Sequence, residues 1–562
     1  MSKKITMQSG GLLSGVLFVI LLLGSLLLCR YTNSFGTWLP CVVLAGISAI
    51  VVCVQLCLSR KFRINTADIL LLSYCLYAIV RMLLEKESYI EPLTTVKWLL
   101  LGLLYITGRL FDKGQVPLML ITVGVCGALS SLFDLFHNPG HLGAYVSIGL
   151  SGIISLLFEK DSSRYKKVLL ASLSILLFVI LVLSKSRGAL LALALALAYL
   201  WFSSDKYKLL TPDRKRMVFV CLSVVVLSGV FILYRIRAGS ADIRLLIWLS
   251  SGEAFLKAPL FGYSSGAVQS LYMPWQAEFF QTHELSSFAP LATNHYQTFN
   301  EYLHILCEQG LVGFILFALF AVCAFRKCSN RGLVAASISL GTSSFFLYTY
   351  DIIPIIILAP LFLGFASSCD INGICNEIKK EQQPARLLLC AVVLTLASVV
   401  CWNVGKRYSS AENDLKEFIH LPEDSMADRI RQASESIILR NKDMTLLYAT
   451  HSFKLSKPDH IAVLEKCSRR IIVVEMMSSL GNLYSESSEM DKAESCFVAA
   501  NNMAPDRMVP KYDLFKFYRD KNDKEKANEW AEIIIASSPR TYNAITIEIK
   551  AAARDFLNSK FE

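Results

Sequence analysis

About thirteen apolar stretches divide the first 405 residues, and each is long enough to cross the roughly 30 Å hydrocarbon core of a bilayer. Backbone polar groups in lipid must be satisfied within the segment itself, so these stretches predict transmembrane α-helices. The expected fold is therefore all-α: a polytopic membrane protein of about 12–13 helices with one long outer loop, followed by a soluble α-helical repeat domain. The predicted spans are 11–29, 38–58, 67–84, 96–109, 116–135, 142–158, 167–184, 188–204, 217–235, 308–325, 332–349, 352–367 and 386–404.

The charge distribution predicts where the membrane part ends. Residues 1–405 contain 52 Asp, Glu, Lys and Arg, about 13%, whereas residues 406–562 contain 49, about 31%. The second value is ordinary for a soluble domain. We therefore expect a membrane domain over 1–405 and a soluble helical domain over 406–562. The excess positive charge lies in the membrane part and indicates loop bias, so no nucleic-acid partner is expected.

Basic residues in the turns predict the orientation in the membrane. The N-terminal lysines and the even-numbered turns together carry 22 Lys and Arg, whereas the short odd-numbered turns carry four. By the positive-inside rule the N-terminus is cytoplasmic, and an odd number of spans places 406–562 outside the cytoplasm. The first span lacks a small-residue cleavage site, so we interpret it as a retained helix. The four cations on the predicted outer side are Arg30, Lys86, Lys185 and Arg187.

One long loop, residues 236–307, is predicted on the same outer face as the soluble domain. A loop of this length is usually functional or disordered. It contains Trp248, Trp275 and Phe279, and so many large apolar side chains argue against disorder. The loop is therefore the expected location of a functional site.

The soluble domain contains a 34-residue repetition. Tyr484, Ala493 and Pro505 recur as Tyr518, Ala527 and Pro539, and Leu480, Gly481, Phe497 and Ala500 complete the small-and-large pattern of a tetratricopeptide repeat. An unrelated array of helical hairpins is the alternative. Either interpretation predicts that residues 410–562 fold alone and that the membrane domain retains some chemistry without them.

Arginines at the predicted outer surface are candidate ligands of an anionic substrate. Arg187 stands on the side that the positive-inside rule disfavours, where its guanidinium could grip a diphosphate bidentately or reach anionic lipid headgroups. The segment from Arg244 to Trp248 predicts an amphipathic helix that ends before a turn at 259–263, and Arg235 and Arg237 lie just upstream. These basic residues could bind a phosphate-bearing substrate. Alternatively, they belong to a cationic helix that lies on anionic lipid.

Polar residues at the start of the tenth span are candidate catalytic groups. His295 and Glu301 carry an imidazole and a carboxylate that could deprotonate a sugar hydroxyl, and the alternative is that they are ordinary surface residues. Read as a helix, this segment places Glu301 and Glu308 on one face with His304. The turn at 138–140, Asn-Pro-Gly, is interpreted as structural.

Taken in order, these motifs resemble the O-antigen ligase and polymerase family, membrane glycosyltransferases that act on polyprenyl-diphosphate-linked glycans. The resemblance covers about residues 120–370. Each motif alone is weak, but the ordered set around one long outer loop is specific. The matching groups are Asn138-Pro-Gly140, Ser186-Arg-Gly188, Arg244 with Trp248 and Pro259-Leu-Phe-Gly262, and Asn300-Glu-Tyr-Leu303 with Glu308-Gln-Gly-Leu-Val-Gly313.

The resemblance implies an inverting transfer, without metal or cofactor, from undecaprenyl diphosphate at the outer face of the bacterial inner membrane. The acceptor would be lipid A-core, a glycan or a protein, and membrane lipids would surround the enzyme. Arginines matching Arg187 and Arg244 would hold the diphosphate, and a loop histidine would activate the acceptor. The supporting residues would be Asn300, Tyr302, Trp248 and Gly310.

This sequence departs from the family pattern at one position. The usual histidine directly before the Asn-x-Tyr-Leu group is Phe299 here. His295, about one helical turn earlier, or Glu301 would then be the catalytic base.

Several alternatives stay open at this point. A ligase, a polymerase and a protein oligosaccharyltransferase share these motifs, although the tail favours a ligase or a protein-glycosylating enzyme, because a repeat array presents a concave protein-binding surface. A transporter of lipid-linked glycans would need ionisable residues inside the spans, and a scaffold would leave the basic loop unexplained. The cysteines lie mostly in apolar runs, and no Cys/His group has zinc spacing. The redox state of Cys467 and Cys496 is left open.

Overall fold

The computed structural model describes residues 2–29, 38–58, 61–84, 91–111, 113–136, 138–159, 163–218, 220, 238–283, 287–369, 374–377, 383–420 and 438–558. Within these residues the chain is overwhelmingly helical, which confirms the all-α prediction. One feature was not predicted: two short strands, β1 (Lys61–Ile64) and β2 (Ile374–Glu377), pair antiparallel.

The first sixteen described helices cover the predicted membrane domain and continue past its end. They are α1 Ser2–Cys29, α2 Trp38–Leu58, α3 Thr66–Leu84, α4 Leu93–Leu110, α5 Val116–Leu132, α6 Pro139–Leu157, α7 Arg164–Leu183, α8 Arg187–Phe202, α9 Asp205–Lys208, α10 Ala238–Lys257, α11 Ala267–Thr282, α12 Glu301–Phe325, α13 Arg331–Ser344, α14 Ile353–Ile356, α15 Leu358–Ser367 and α16 Gln383–His420.

The remaining helices form the C-terminal part of the described chain. They are α17 Lys442–His451, α18 Lys457–Ser468, α19 Val474–Glu486, α20 Met490–Met503, α21 Met508–Asp520, α22 Lys524–Ala536 and α23 Ala544–Asn558.

Helices account for twelve of the thirteen predicted spans. The ninth, 217–235, lies almost wholly outside the described residues, as do Arg235 and Arg237. Among the described helices, seven are long and apolar enough to cross a membrane, and four apolar helices or helix pairs are shorter. The chain is therefore a multi-pass membrane protein.

Contacts between the described parts of the turns place them at two ends of the bundle. At one end the ring of His141, just after the turn at Asn138, meets the Tyr348 ring at 5.2 Å, and Glu91 accepts from Tyr408. At the other end Arg109 pairs with Asp68 at 2.9 Å, and Arg331 pairs with Asp205. Odd-numbered and even-numbered turns are thus separated, as alternating spans require. Which end faces the cytoplasm stays a prediction.

Within the described residues, the long loop predicted on the outer face folds as two helices, α10 and α11, followed by a stretch without regular secondary structure over 292–298. The predicted helix around Arg244 with a turn after it is confirmed. The helical interpretation of residues 294–300 is wrong, because α12 begins only at Glu301. Asn300 stops the helix there: its Oδ1 accepts the backbone N–H groups of Tyr302 and Leu303 at 3.0 and 3.1 Å, as an N-cap does.

The C-terminal part begins inside a helix. The predicted domain boundary at 405/406 falls within α16, which continues unbroken to His420. Further on, α19 and α20 begin at Val474 and Met490, and α21 and α22 begin 34 residues later in each case. A Cβ on Gly481 would lie 2.5 Å from the Phe497 ring, so glycine permits this close approach. Assignment to the tetratricopeptide family stays a prediction.

Candidate functional site

The Pro259–Gly262 motif and the Glu308–Gly313 motif interlock through backbone hydrogen bonds in and beside them. The turn after α10 donates from Tyr263 N to the Cys307 carbonyl at 2.8 Å and from Ser264 N to the Glu308 carbonyl at 2.9 Å. In return, Leu311 N donates to the Pro259 carbonyl at 2.8 Å. These bonds attach the turn between the loop helices α10 and α11 to α12, at the point where Gly310 interrupts that helix.

The glycines of these motifs make the interlock sterically feasible. Gly310 has φ +65° and ψ −171°, a region that only glycine adopts readily, and it interrupts α12. A Cβ on Gly310 would lie 2.3 Å from the Leu260 carbonyl oxygen. Gly262 has φ +67°, and its Cβ would lie 2.6 Å from the Cys307 carbonyl oxygen. Gly310 thus permits the close backbone approach between the two motifs.

The other two motifs, Asn138-Pro-Gly140 and Ser186-Arg-Gly188, lie at the starts of α6 and α8, which pack against each other. Asn138 caps α6, since its Oδ1 accepts the Gly140 N–H at 2.8 Å. A Cβ on Gly143 would lie 2.5 Å from the Ser186 Cβ, and a Cβ on Gly188 would lie 3.2 Å from the Phe346 Cβ. Small residues therefore bring the segment before α8 against α6 and against the turn after α13.

Arg187 and Arg244 come together from separate elements. Arg187 is the first residue of α8, Arg244 lies in α10, and both side chains are half-buried. Burial first, and then the positive charge of Arg187, lower the pKa of Arg244 from its usual value. Two neighbouring like charges raise each other's electrostatic cost, and an anion bound between them would relieve it.

Phe299 lies at the centre of the site. Its backbone adopts φ +50°, which costs a side-chain-bearing residue about 1–2 kcal/mol. The Arg244 guanidinium stands 5.8 Å from the centre of the Phe299 ring, within cation–π range. The rings of Tyr348 and His295 meet the same ring at 5.2 and 6.1 Å. Phe299 therefore links the arginine pair to the candidate base.

Trp248 and Tyr302 fix the surroundings of Phe299. The Trp248 Nε1–H donates to the Thr298 carbonyl at 3.0 Å, one residue before Phe299. The Tyr302 hydroxyl donates to the Gly341 carbonyl at 2.9 Å. Both rings also meet Phe345, in the turn after α13. These predicted supporting residues hold the backbone around Phe299.

The two candidate bases differ in their surroundings. Burial lowers the pKa of His295 to about 4, so its imidazole is neutral at pH 7 and able to accept a proton. Its Nε2 lies 2.9 Å from the Thr293 Oγ1. The Glu301 Oε2 already accepts from the Tyr350 N–H at 3.2 Å and lies 3.4 Å from the Thr349 Oγ1. Glu301 is thus occupied in holding a turn, whereas His295 lies against the Phe299 ring.

The structure adds residues to the site that the motifs did not indicate. Tyr348 contacts the Phe299 ring, with the two ring centres 5.2 Å apart. The ring of His141, from the motif interpreted as a structural turn, meets Tyr348 at 5.2 Å. Within the described part of the chain, the buried Nε2 of His141 has no hydrogen-bond partner. Residues 345–348 carry no motif, so nothing in the sequence predicted their position.

An ion pair near the site was also missed. Lys97 Nζ lies 2.8 Å from the Asp351 Oδ1, and Gln297 donates to the Asp351 Oδ2 at 2.8 Å. Burial would raise the pKa of Asp351, but the charge and hydrogen bond of Lys97, together with the charges of His304 and Lys442, lower it on balance. A lysine inside a predicted span was the available signal, because such residues usually have a partner.

Potential metal ligands are scattered in the part of the chain that the structure describes. There, no three His, Cys, Asp or Glu side chains lie close enough together to hold a metal ion.

Comparison with known families agrees with the geometry. The model of a family described as O-antigen ligase matches residues 172–318. This range includes Arg187, Arg244, His295 and the interlocked segments, and it ends just after Gly313. No curated protein matches the chain. In residues 172–318 this membrane protein therefore carries a domain of the O-antigen ligase family.

Proposed function

We propose that this protein transfers a glycan from undecaprenyl diphosphate to an acceptor hydroxyl at the outer face of the bacterial inner membrane. The O-antigen ligase domain supports a ligase or polymerase type of function in general. Our proposal goes beyond this general function in three respects: the undecaprenyl-diphosphate donor, inversion at the anomeric carbon and a reaction that requires no metal ion. The observation that carries the proposal is the half-buried pair Arg187 and Arg244 at the end of the bundle where the outer loop lies.

The arginine pair fits the chemistry of the leaving group. When the bond from the anomeric carbon to the diphosphate breaks, negative charge grows on the departing oxygen. Two guanidinium groups can bind the diphosphate through paired N–H···O bonds and stabilise that growing charge. Such a donor needs no nucleotide, which suits a reaction outside the cytoplasm.

The acceptor side requires a base. In the proposed step, the acceptor oxygen attacks the anomeric carbon from the face opposite the diphosphate, and the configuration inverts. The hydroxyl proton passes to the neutral imidazole of His295, while the bonding pair of the leaving oxygen stays on the diphosphate. The imidazole is unprotonated at pH 7 and can therefore accept this proton. Lipid A-core, a glycan and a protein remain candidate acceptors.

The test is a transfer assay with purified protein, a polyprenyl-diphosphate glycan and each acceptor, with a chelator present. Arg187→Ala or Arg244→Ala should lower the rate about 100- to 1,000-fold, because each removes stabilisation of the transition state. Lys185→Asn is the matched control, since it removes an exposed cation two residues from Arg187. Asparagine also tolerates the φ of +52° found there.

The proposal predicts release of undecaprenyl diphosphate together with the glycosylated product. A folded protein that moves the glycan across vesicles without cleaving the diphosphate bond would instead be a transporter. Activity lost on chelation and restored by a metal ion would contradict the metal-independent mechanism.

A further inference from the structure

We propose that the C-terminal helical domain positions the candidate base, and that Glu475 and Lys442 are positioning residues for His295. The inference rests on the proposed function, because it takes His295 as the base. It concerns the segment 292–298, which has no regular secondary structure and connects the loop helices to α12. Such a segment has no helical or sheet hydrogen bonds of its own, so its neighbours determine its conformation.

The residue before His295 is held by the first turn of α19. Asn294 Nδ2 donates to the Glu475 Oε2 at 2.7 Å, and the Val474 backbone N–H donates to the Asn294 Oδ1 at 3.3 Å. Both ends of the amide are therefore engaged by the C-terminal domain. Glu475 also pairs with Arg507, which fixes the carboxylate from the other side.

The residues on either side of this bond are also held. The Lys442 ammonium lies 4.9 Å from the centre of the Tyr296 ring, directly after His295. The buried Gln276 amide donates to the Met503 carbonyl at 2.7 Å and to the Thr293 carbonyl at 3.3 Å. One loop side chain thus ties the end of α20 to the residue whose hydroxyl meets His295.

Apolar packing makes these contacts part of one core. Val474, Ala500 and Met503 of the C-terminal domain are buried together with Tyr272 and Val268 of α11. The Tyr272 ring in turn meets the His295 ring edge-on at 6.1 Å. The C-terminal domain therefore packs against the base through a buried apolar layer, and this packing supports a part in catalysis.

The decisive experiment exchanges the hydrogen-bond donor and acceptor between positions 294 and 475 in the full-length protein. Asn294→Asp places two carboxylates face to face and should lower kcat about 10- to 100-fold, since small displacements of a reacting group have effects of this size. Adding Glu475→Gln restores a donor opposite the new acceptor, and the Val474 N–H keeps its partner. The double variant should recover most of the lost kcat.

The kinetic parameters distinguish positioning from a general structural defect. The KM for donor should stay within about twofold in all variants, because Arg187 and Arg244 are untouched. Glu486→Ala is the matched control. Glu486 lies on the same helix as Glu475, at the far end of α19, and the substitution breaks its ion pair with Lys457 of α18. This control should leave kcat unchanged. Unfolding midpoints in detergent show that each variant is folded.

Each outcome bears on one of the two proposals. If Asn294→Asp is folded and as active as the parent, the positioning role is refuted, and it is equally refuted if the double variant is no better than the single one. His295→Ala is measured in parallel. If that variant keeps full activity, His295 is not the base and the proposed mechanism fails, whatever the Asn294 variants do.

Discussion

Replacing Gly310 with alanine should separate the two interlocked motifs. The added Cβ would lie 2.3 Å from the Leu260 carbonyl oxygen, 2.4 Å from the Leu260 carbonyl carbon and 2.5 Å from the Phe261 nitrogen. These are backbone atoms, which cannot rotate away as a side chain can. The chain must therefore move at the break in α12.

The cost follows from two contributions. Alanine at φ +65°, ψ −171° costs about 2 kcal/mol in backbone conformation. Moving Leu260 away also breaks the hydrogen bonds from Leu311 N to the Pro259 carbonyl and from Val312 N to the Leu260 carbonyl, at about 1 kcal/mol each. The sum is about 4 kcal/mol, which corresponds to a roughly 1,000-fold change in the unfolding equilibrium.

The measurement is the free energy of unfolding in mixed micelles, with glycan transfer measured on the same preparation. Gly252→Ala is the matched control: a Cβ there meets nothing within 4 Å, and Gly252 lies in the middle of α10. That change should stabilise the protein by up to about 1 kcal/mol, because alanine has the higher helix propensity. A Gly310→Ala protein as stable and as active as the parent would refute the interlock argument.

The other predictions concern the bound anion, the base and the topology. Arg187→Lys and Arg244→Lys should recover only part of the activity lost in the alanine variants, since lysine keeps the charge without the fork; full recovery would indicate bulk electrostatics. With a His295 pKa of about 4, protonation removes the base only at low pH, so kcat should be flat above about pH 5 and fall below it. His295→Ala should abolish this plateau and Glu301→Gln should keep it, and the reverse result would make Glu301 the base. Asp520→Cys should react with an impermeant maleimide in intact cells and Asp213→Cys only after the cytoplasm is opened; both side chains are exposed, and the opposite pattern would invert the topology.

Local patterns predicted the elements of the fold well. An apolar run is a property of neighbouring residues, and for this reason twelve of the predicted spans coincide with described helices. The motif glycines were also correctly singled out, because Gly262 and Gly310 have backbone conformations that other residues rarely adopt. The start of α12 was misjudged, since the Asn300 cap competes with the helical pattern before it.

Contacts between distant segments could not be predicted in the same way. Tyr348 reaches Phe299 only because α12 and α13 turn back on each other, and the residues around it carry no pattern. The bond between Asn294 and Glu475 joins positions 181 residues apart and depends on two ordinary polar side chains. A resemblance to a family identifies motifs, whereas this contact lies partly outside the matched range, 172–318.

The unbroken helix α16 is longer than the hydrocarbon layer of a membrane is thick. Its 38 residues measure about 57 Å, so about 27 Å stand outside a hydrocarbon layer of about 30 Å. The end of α16 contacts the C-terminal domain directly, since the Phe418 ring meets the Tyr448 ring at 5.2 Å, so the height of that domain depends on the membrane thickness. Four residues inserted near position 405 would raise that domain by about 6 Å and turn it by about 40°. Bonds of 2.7 Å cannot survive such a shift, so the length of α16 is as tightly constrained as any residue of the site.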